Sequence, residues 1–272
     1  MEQADLHLHS CFSDGTLTPE EIVVRARKRN FSTIALTDHD TVDGLPRAIA
    51  AGVTYGVRVI PGVELSTYYG GAEIHIIGLG IDHRSAALNA MLADLRSYRV
   101  ECVRKMVAKL RKFGVVIDPQ EVFALAGGGV AGRAHLAEVI WKAGYTSSPA
   151  EAFERFLRDN GPAYEPKTDL WIEDAVEVIT AACGIPVLAH PGANGRDELI
   201  PLFVQKGVRA IEAYYSSHTY LQSQYYVQLA RKLGTLVSGG SDCHGQRKGR
   251  ELFGTVRLPP EYLDPLLDGR TR

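Results

Sequence analysis

Short apolar runs rich in valine and isoleucine alternate along the chain with longer stretches whose apolar residues recur every three or four positions. The runs fall at 4–8, 33–37, 57–61, 73–79, 185–189, 208–213 and 235–238, and they read as seven buried strands. Stretches of helical period separate them, the pattern of parallel βα units in an α/β protein. The first helix announces its start with Thr18, Pro19 and Glu21, a T-x-x-E capping box with proline in the first turn. Residues 4–8, this helix and residues 33–37 make a βαβ opening.

The alternation breaks between about 82 and 167. Leu88, Leu92, Leu95, Val103, Val107 and Leu110 keep three- and four-residue steps apart from one longer gap, which predicts a long amphipathic helix. Further helices are expected around 119–126, 133–143 and 149–159, the last beginning at Ser148-Pro149. Strand patterns are absent here. The chain is therefore expected to divide into a barrel-like core of residues 1–81 and 168–272 and a helical insert of residues 82–167, between the fourth and fifth strands.

Composition narrows the picture. A chain of 272 residues, 45% hydrophobic and 23% charged, can bury one large α/β core without help from disulfides or a structural metal. Its 30 lysines and arginines against 32 acidic residues give a net charge of −2, which argues against a broad basic nucleic-acid surface but not against a local basic pocket. The four cysteines show no C-x-x-C spacing. No signal-peptide pattern follows Met1 and no apolar run approaches membrane-spanning length, so a cytoplasmic protein with reduced thiols is expected, with no membrane partner. Nothing points to an obligate protein partner.

The nine histidines carry the chemistry. Asp5-Leu6-His7-Leu8-His9 puts two imidazoles on one strand face, where they can share an ion. Asp14 lies in the loop behind them. Thr37-Asp38-His39-Asp40 ends the second strand, Gly62-Val63-Glu64 follows the third, and His75 lies on the fourth. His190-Pro191-Gly192 closes the fifth, Glu212 ends the sixth, and Ser241-Asp242-Cys243-His244 follows the seventh. Each strand is thus expected to deliver histidine or carboxylate at its C-terminal end, where barrel enzymes gather their active sites. Imidazole with carboxylate and no thiolate suits Mn²⁺, Zn²⁺ or Fe²⁺, and so many ligands would serve up to three ions.

These motifs, D-L-H-L-H-S, S-D-G, T-D-H-D, G-V-E, the strand histidine, A-H-P-G and G-S-D-C-H, resemble those of the polymerase-and-histidinol-phosphatase (PHP) family from Asp5 to His244. The resemblance implies a distorted (β/α)7 TIM-like barrel with a metal cluster, often trinuclear. It implies that His7, His9, Glu64 and Asp242 hold one ion, that Glu64 bridges to a second held by His75 and His190, and that Asp14, His39 and His244 hold a third. Asp38, Asp40 and Glu212 would orient imidazoles from behind.

Within the family, the helical insert, the segment Gly132-Arg133-Ala134-His135 and the pair Ser217-His218 are most similar to the subgroup of nucleotide 3′,5′-bisphosphate phosphatases and 5′→3′ exoribonucleases. The expected substrate is therefore a nucleoside 3′,5′-bisphosphate or a short RNA 5′ end, hydrolysed by attack of a metal-bridging hydroxide on phosphorus. Arg133 is expected to clamp phosphate and His135 to assist it, while His218 would bind phosphate or protonate the leaving oxygen. Tyr164 and Lys167 would line the base pocket, and Arg247, Lys248 and Arg250 would meet the 5′-phosphate. Each has a plainer reading as a salt bridge, a loop histidine or a solvated charge. The rival functions are histidinol-phosphate phosphatase, a polymerase-associated domain and a non-catalytic phosphate- or metal-binding regulator.

Overall fold

The computed structural model describes residues 3–166, 170–247 and 250–268. Seven strands form a sheet in chain order: β1 (Ala4–Leu8), β2 (Thr33–Leu36), β3 (Arg58–Tyr69), β4 (Ala72–Leu79), β5 (Ile185–Leu188), β6 (Ala210–Tyr215) and β7 (Leu236–Gly240). The last strand returns to the first. The Asp242 amide donates to the His7 carbonyl at 2.9 Å and the His9 amide to the Cys243 carbonyl at 3.1 Å, curling the sheet into a nearly closed barrel. This closure needs Gly240, because a Cβ there would lie 2.3 Å from the Cβ of His7.

Helix α1 (Pro19–Lys28) crosses from β1 to β2 and α2 (Leu45–Tyr55) from β2 to β3. The capping box is formed: the Glu21 amide donates to Thr18 Oγ1 at 3.2 Å and the Thr18 amide to Glu21 Oε2 at 2.8 Å. Between β4 and β5 lie α3 (Ala86–Leu110), α4 (Pro119–Leu125), α5 (Arg133–Lys142), α6 (Pro149–Ala152, prolonged by a π-helical turn, Phe153–Leu157) and α7 (Ile172–Ala181). The short α8 (Pro191–Asn194) and α9 (Ile200–Gln205) link β5 to β6, α10 (Tyr220–Leu233) links β6 to β7, and α11 (Pro260–Asp268) follows. No helix among the described residues is long and apolar enough to cross a membrane.

One expectation fails. The third and fourth strands are not joined by a helix; β3 runs on through Tyr69 and pairs antiparallel with β4 as a hairpin. Gly70 and Gly71, both with positive φ (56° and 85°), supply the two-residue turn such a hairpin requires. Strand β4 also pairs antiparallel with β5, so it runs against the rest of the barrel. His75, near its start, consequently reaches the end of the barrel where the other strands finish.

Helix α3 belongs to two cores. Leu88, Leu92 and Leu95 pack into the barrel's apolar cluster, whereas Val103, Val107 and Leu110 join Leu136, Ile140 and Phe156 in a second one. At about 1.5–3 kcal/mol per buried aliphatic side chain, either cluster holds its end of the helix in place. The gap in the apolar period falls where the helix passes from one core to the other. Arg99, four residues after Leu95 and four before Val103, fills it.

Candidate metal centre

Glu64 is the hub. Its carboxylate is fully buried, and its two oxygens face different sets of imidazoles. Oε2 lies 3.1 Å from His7 Nε2, 3.2 Å from His9 Nε2 and 3.2 Å from His39 Nδ1. Oε1 lies 2.8 Å from His75 Nδ1 and 3.1 Å from His190 Nε2. Asp242 Oδ1 stands 3.1 Å from His9 Nε2, and Asp14 Oδ1 stands 3.1 Å from His244 Nε2. All nine expected ligands therefore converge on one end of the barrel.

The donors fall into three overlapping groups whose ligand atoms are close enough to share an ion: His7, His9, Glu64 and Asp242; His9, Asp14, His39 and His244; and His39, Glu64 and His75. The first has the same members as one expected set, the second adds His9, and the third has His39 with Glu64 and His75 where His190 was expected. His190 falls in none of the three but faces Glu64 Oε1. The environment of these donors fits bound cations. Both ring nitrogens of His9, Asp14 Oδ1 and His190 Nδ1 are buried without a well-aligned hydrogen bond, an arrangement costly for polar groups unless a cation completes it. His190, Asp242 and Asp40 also hold positive φ angles (29°, 53° and 49°), backbone strain of the kind that collects at functional sites.

The surrounding residues set the direction of each ring. The Nδ1 of His7 pairs with Glu212 Oε1 at 2.9 Å, leaving Nε2 to face Glu64 and Asp242. Glu212 Oε2 accepts from the His190 amide at 2.7 Å, fixing the strained turn after β5. The Nδ1 of His244 pairs with the Asp242 carbonyl at 2.9 Å, turning Nε2 toward Asp14. The hydrogen bonds of Asp38 and Asp40 among the described residues go to amides, hydroxyls and a guanidinium. Asp38 accepts from the Ser10 amide and from the hydroxyls of Ser10 and Ser13, holding the loop that carries Asp14. Asp40 accepts from Arg99 Nε at 2.6 Å and from the Ser66 amide at 3.1 Å, anchoring α3 against the barrel.

A cavity of about 190 Å³ opens beside the cluster. Asp14, His39, Glu73 and His75 of the barrel line it together with Arg99, Gly132, Arg133 and Phe153 of the following helices. Arg133, in the first turn of α5, is almost buried, lies between the rings of Phe153 and Tyr164 at 5.3 and 5.2 Å, and donates to Glu73 Oε2 at 3.2 Å. Its Nη1 donates to the Leu157 carbonyl at 3.1 Å and pairs with Asp159.

Relatives define what such a site belongs to. Residues 5–126 match the family described as the PHP domain. Over 275 aligned residues the chain is 35% identical to the 3′,5′-nucleoside bisphosphate phosphatase of Chromobacterium violaceum, covering 96% of this chain and 94% of that protein. The chain belongs to the PHP family. It is also 35% identical, over 245 residues, to the 5′-3′ exoribonuclease of Haemophilus influenzae, covering 88% of this chain and 89% of that one. A solved structure, a metal-dependent phosphoesterase of Bifidobacterium adolescentis, superimposes with a TM-score of 0.89 at 27% identity, over 97% of this chain and 95% of the other. The protein is a PHP phosphoesterase, a hydrolase, on a distorted (β/α)7 barrel.

Other expected substrate residues of this PHP barrel are placed less directly. His135 accepts the Gly132 amide on Nδ1 at 3.3 Å, and burial, with the Arg247 charge nearby, pushes its pKa down to about 4. It is a neutral imidazole at pH 7. His218 has both ring nitrogens engaged by backbone: Nδ1 faces the Ala213 carbonyl at 3.0 Å and Nε2 accepts the Gly192 amide at 3.3 Å. Proton donation from His218 would first require one of those bonds to open. Arg247 pairs with Glu138 of α5, tying the loop after β7 to that helix. Arg250 is exposed, and Lys167 and Lys248 lie outside the described residues.

Three residues of the site escaped the sequence reading. Arg99 was concealed as a skipped position in an apolar repeat. Tyr215 donates its hydroxyl to Asp242 Oδ2 at 3.1 Å, and burial keeps that hydroxyl protonated. Glu73 pairs with His75, and its only signal was a position two residues before a strand histidine.

The electrostatics predict how metal uptake depends on pH. Burial opposes protonation of His9, yet the carboxylates of Asp242 and Glu64 outweigh it and raise its pKa to about 9. Burial likewise opposes ionisation of Glu64, yet His39, His7 and His75 hold its carboxyl well below the usual range. At neutral pH the metal-free His9 is therefore protonated, and a ligating imidazole must be neutral. Mn²⁺ affinity is expected to rise between pH 6 and 9 with release of protons, detected by calorimetry in buffers of different ionisation enthalpy. An affinity flat with pH and no proton release would contradict this.

Proposed function

We propose that this enzyme removes the 3′-phosphate of nucleoside 3′,5′-bisphosphates and, at the same site, acts 5′→3′ on short 5′-phosphorylated RNA. The observation that carries the reading is the cavity lined together by Asp14, His39 and His75 and by the nearly buried Arg99 and Arg133. Both reactions cut a phosphoester at the 3′ oxygen of a 5′-phosphorylated nucleotide, so one site serves both. The similarity to a bisphosphate phosphatase and to an exoribonuclease at equal identity supports it.

The nine ligands named above hold three divalent ions in this reading, with Mn²⁺ as the expected metal. Divalent ions there supply a water activated for attack on phosphorus and positive charge for the transition state. The protein supplies the rest. Arg133 offers planar donors that grip a phosphate through two oxygens, and the rings of Phe153 and Tyr164 hold its plane. The amide end of α5 favours an anion at the same place. His135, buried and not part of the cavity lining, accepts the Gly132 amide and so holds the turn that carries Arg133. In this reading residues 1–81 and 168–272 make the catalytic barrel, and residues 82–167 are an insert that brings the phosphate clamp to it. A cytoplasmic location follows from such substrates.

Turnover by the Mn²⁺-loaded enzyme tests the reading, with 3′-phosphoadenosine 5′-phosphate, a 5′-phosphorylated oligoribonucleotide and histidinol phosphate compared at equal concentration. Hydrolysis of the bisphosphate, with or without the oligonucleotide, is expected. Turnover of histidinol phosphate alone would transfer the enzyme to the rival reading.

A further inference from the structure

We propose that Glu73 is a positioning residue that couples one metal position to the phosphate clamp, an inference that rests on the reading of His75 as a ligand and of Arg133 as the clamp. Glu73 and His75 stand two residues apart on β4 and so share one face of the strand. The Glu73 side chain is only 7% exposed, and among the described residues one of its oxygens meets His75 and the other Arg133. Oε1 is 2.5 Å from His75 Nε2, and Oε2 is 3.2 Å from Arg133 Nη2.

The consequence for His75 is directional. With Nε2 paired to Glu73, Nδ1 is the ring nitrogen on the side of Glu64 Oε1, 2.8 Å away, and of His190 Nε2 at 3.3 Å, where it would offer its lone pair to an ion held there. A carboxylate behind an imidazole fixes its tautomer and raises its basicity. The consequence for Arg133 is one of place. This arginine is carried by α5, beyond the barrel, while Glu73 is part of the barrel sheet itself. Their ion pair therefore sets the guanidinium relative to the ligand His75, in a site where an error of about 1 Å costs on the order of 10²-fold in rate. Both partners are donors, so the position requires two acceptors on one short side chain. A carboxylate meets that demand and an amide does not.

Glu73→Gln, Glu73→Ala, His75→Ala and Arg133→Ala compared in one set of assays test the inference. Glutamine keeps an oxygen for His75 and turns its amide donor against the arginine. Glu73→Gln should therefore raise KM for the bisphosphate about 10-fold while Mn²⁺ affinity stays within about 3-fold of wild type. Glu73→Ala should also weaken Mn²⁺ binding, read by calorimetry without substrate, by about 10- to 100-fold, the range for residues that support a metal ligand. In the Glu73→Ala/Arg133→Ala double variant KM should be no higher than in Arg133→Ala alone, because coupled residues are not additive. A Glu73→Ala protein with lowered thermal stability but unchanged Mn²⁺ affinity and KM would overturn the inference. If His75→Ala leaves Mn²⁺ binding unchanged, or Arg133→Ala leaves KM unchanged, the underlying reading of the site fails instead.

Discussion

Glu64→Gln is expected to lower kcat/KM by about 10³-fold or more and to reduce the bound metal per chain, because it removes the carboxylate shared by both halves of the cluster. Both oxygens of Glu64 are committed, one toward His7, His9 and His39 and the other toward His75 and His190. An amide of nearly the same shape presents one oxygen and one donor, so one side of the cluster meets an N–H where it needs an acceptor. The negative charge is lost as well, leaving the surrounding imidazoles and any bound ion less compensated in a fully buried place. Metal content by mass spectrometry and steady-state kinetics read the two effects separately. A variant with full metal content and more than a tenth of wild-type activity would show that Glu64 is not the bridge.

Arg133→Ala is expected to cost about 10²- to 10³-fold in kcat/KM for the bisphosphate, the range for deleting one charged donor from a desolvated site. The guanidinium is nearly buried, pinned by Glu73 and Asp159 and flanked by two aromatic rings, so little of its binding energy is spent on ordering the side chain. Arg133→Lys should recover no more than about 10-fold of the loss, because an ammonium cannot grip two phosphate oxygens in one plane. Competitive inhibition by inorganic phosphate should weaken in parallel. Unchanged phosphate inhibition in Arg133→Ala would place the clamp elsewhere.

The convergence of these histidines and carboxylates was readable because they sit in motifs of short range, each fixed by the geometry of a strand end. The expected orientation of the strands was wrong in one place, and the reason is local. The apolar run at 57–61 was closed at Pro61-Gly62, a pair that usually marks a break, yet β3 continues for eight residues beyond Pro61. The hairpin signal, Gly70-Gly71 between two runs of alternating residues, lay in a stretch already given to a crossover. His75 still reaches the site, because reversing β4 and placing the histidine near its start have cancelling effects.

What stayed hidden were contacts between distant segments. Asp38 and Asp40 flank a candidate ligand in sequence, which suggested that they orient it, but their hydrogen bonds reach Ser10, Ser13, Ser66 and Arg99 in three other segments. Glu73 and Arg133 are 60 residues apart, and no spacing rule joins them. Arg99 would have been found had a charged residue at an apolar-period position been taken as a contact with the site. The longer gap between Leu95 and Val103 recorded that contact as an irregularity.

In the proposed function these nine residues build a polynuclear centre. Anomalous diffraction at the manganese edge, from crystals of the Mn²⁺-reconstituted protein, measures it most directly. Three peaks per chain are expected at this end of the barrel, one between His7, His9, Glu64 and Asp242, one beside Glu64, His75 and His190, and one beside Asp14, His39 and His244. Fewer than two peaks, or peaks away from Glu64, would contradict it.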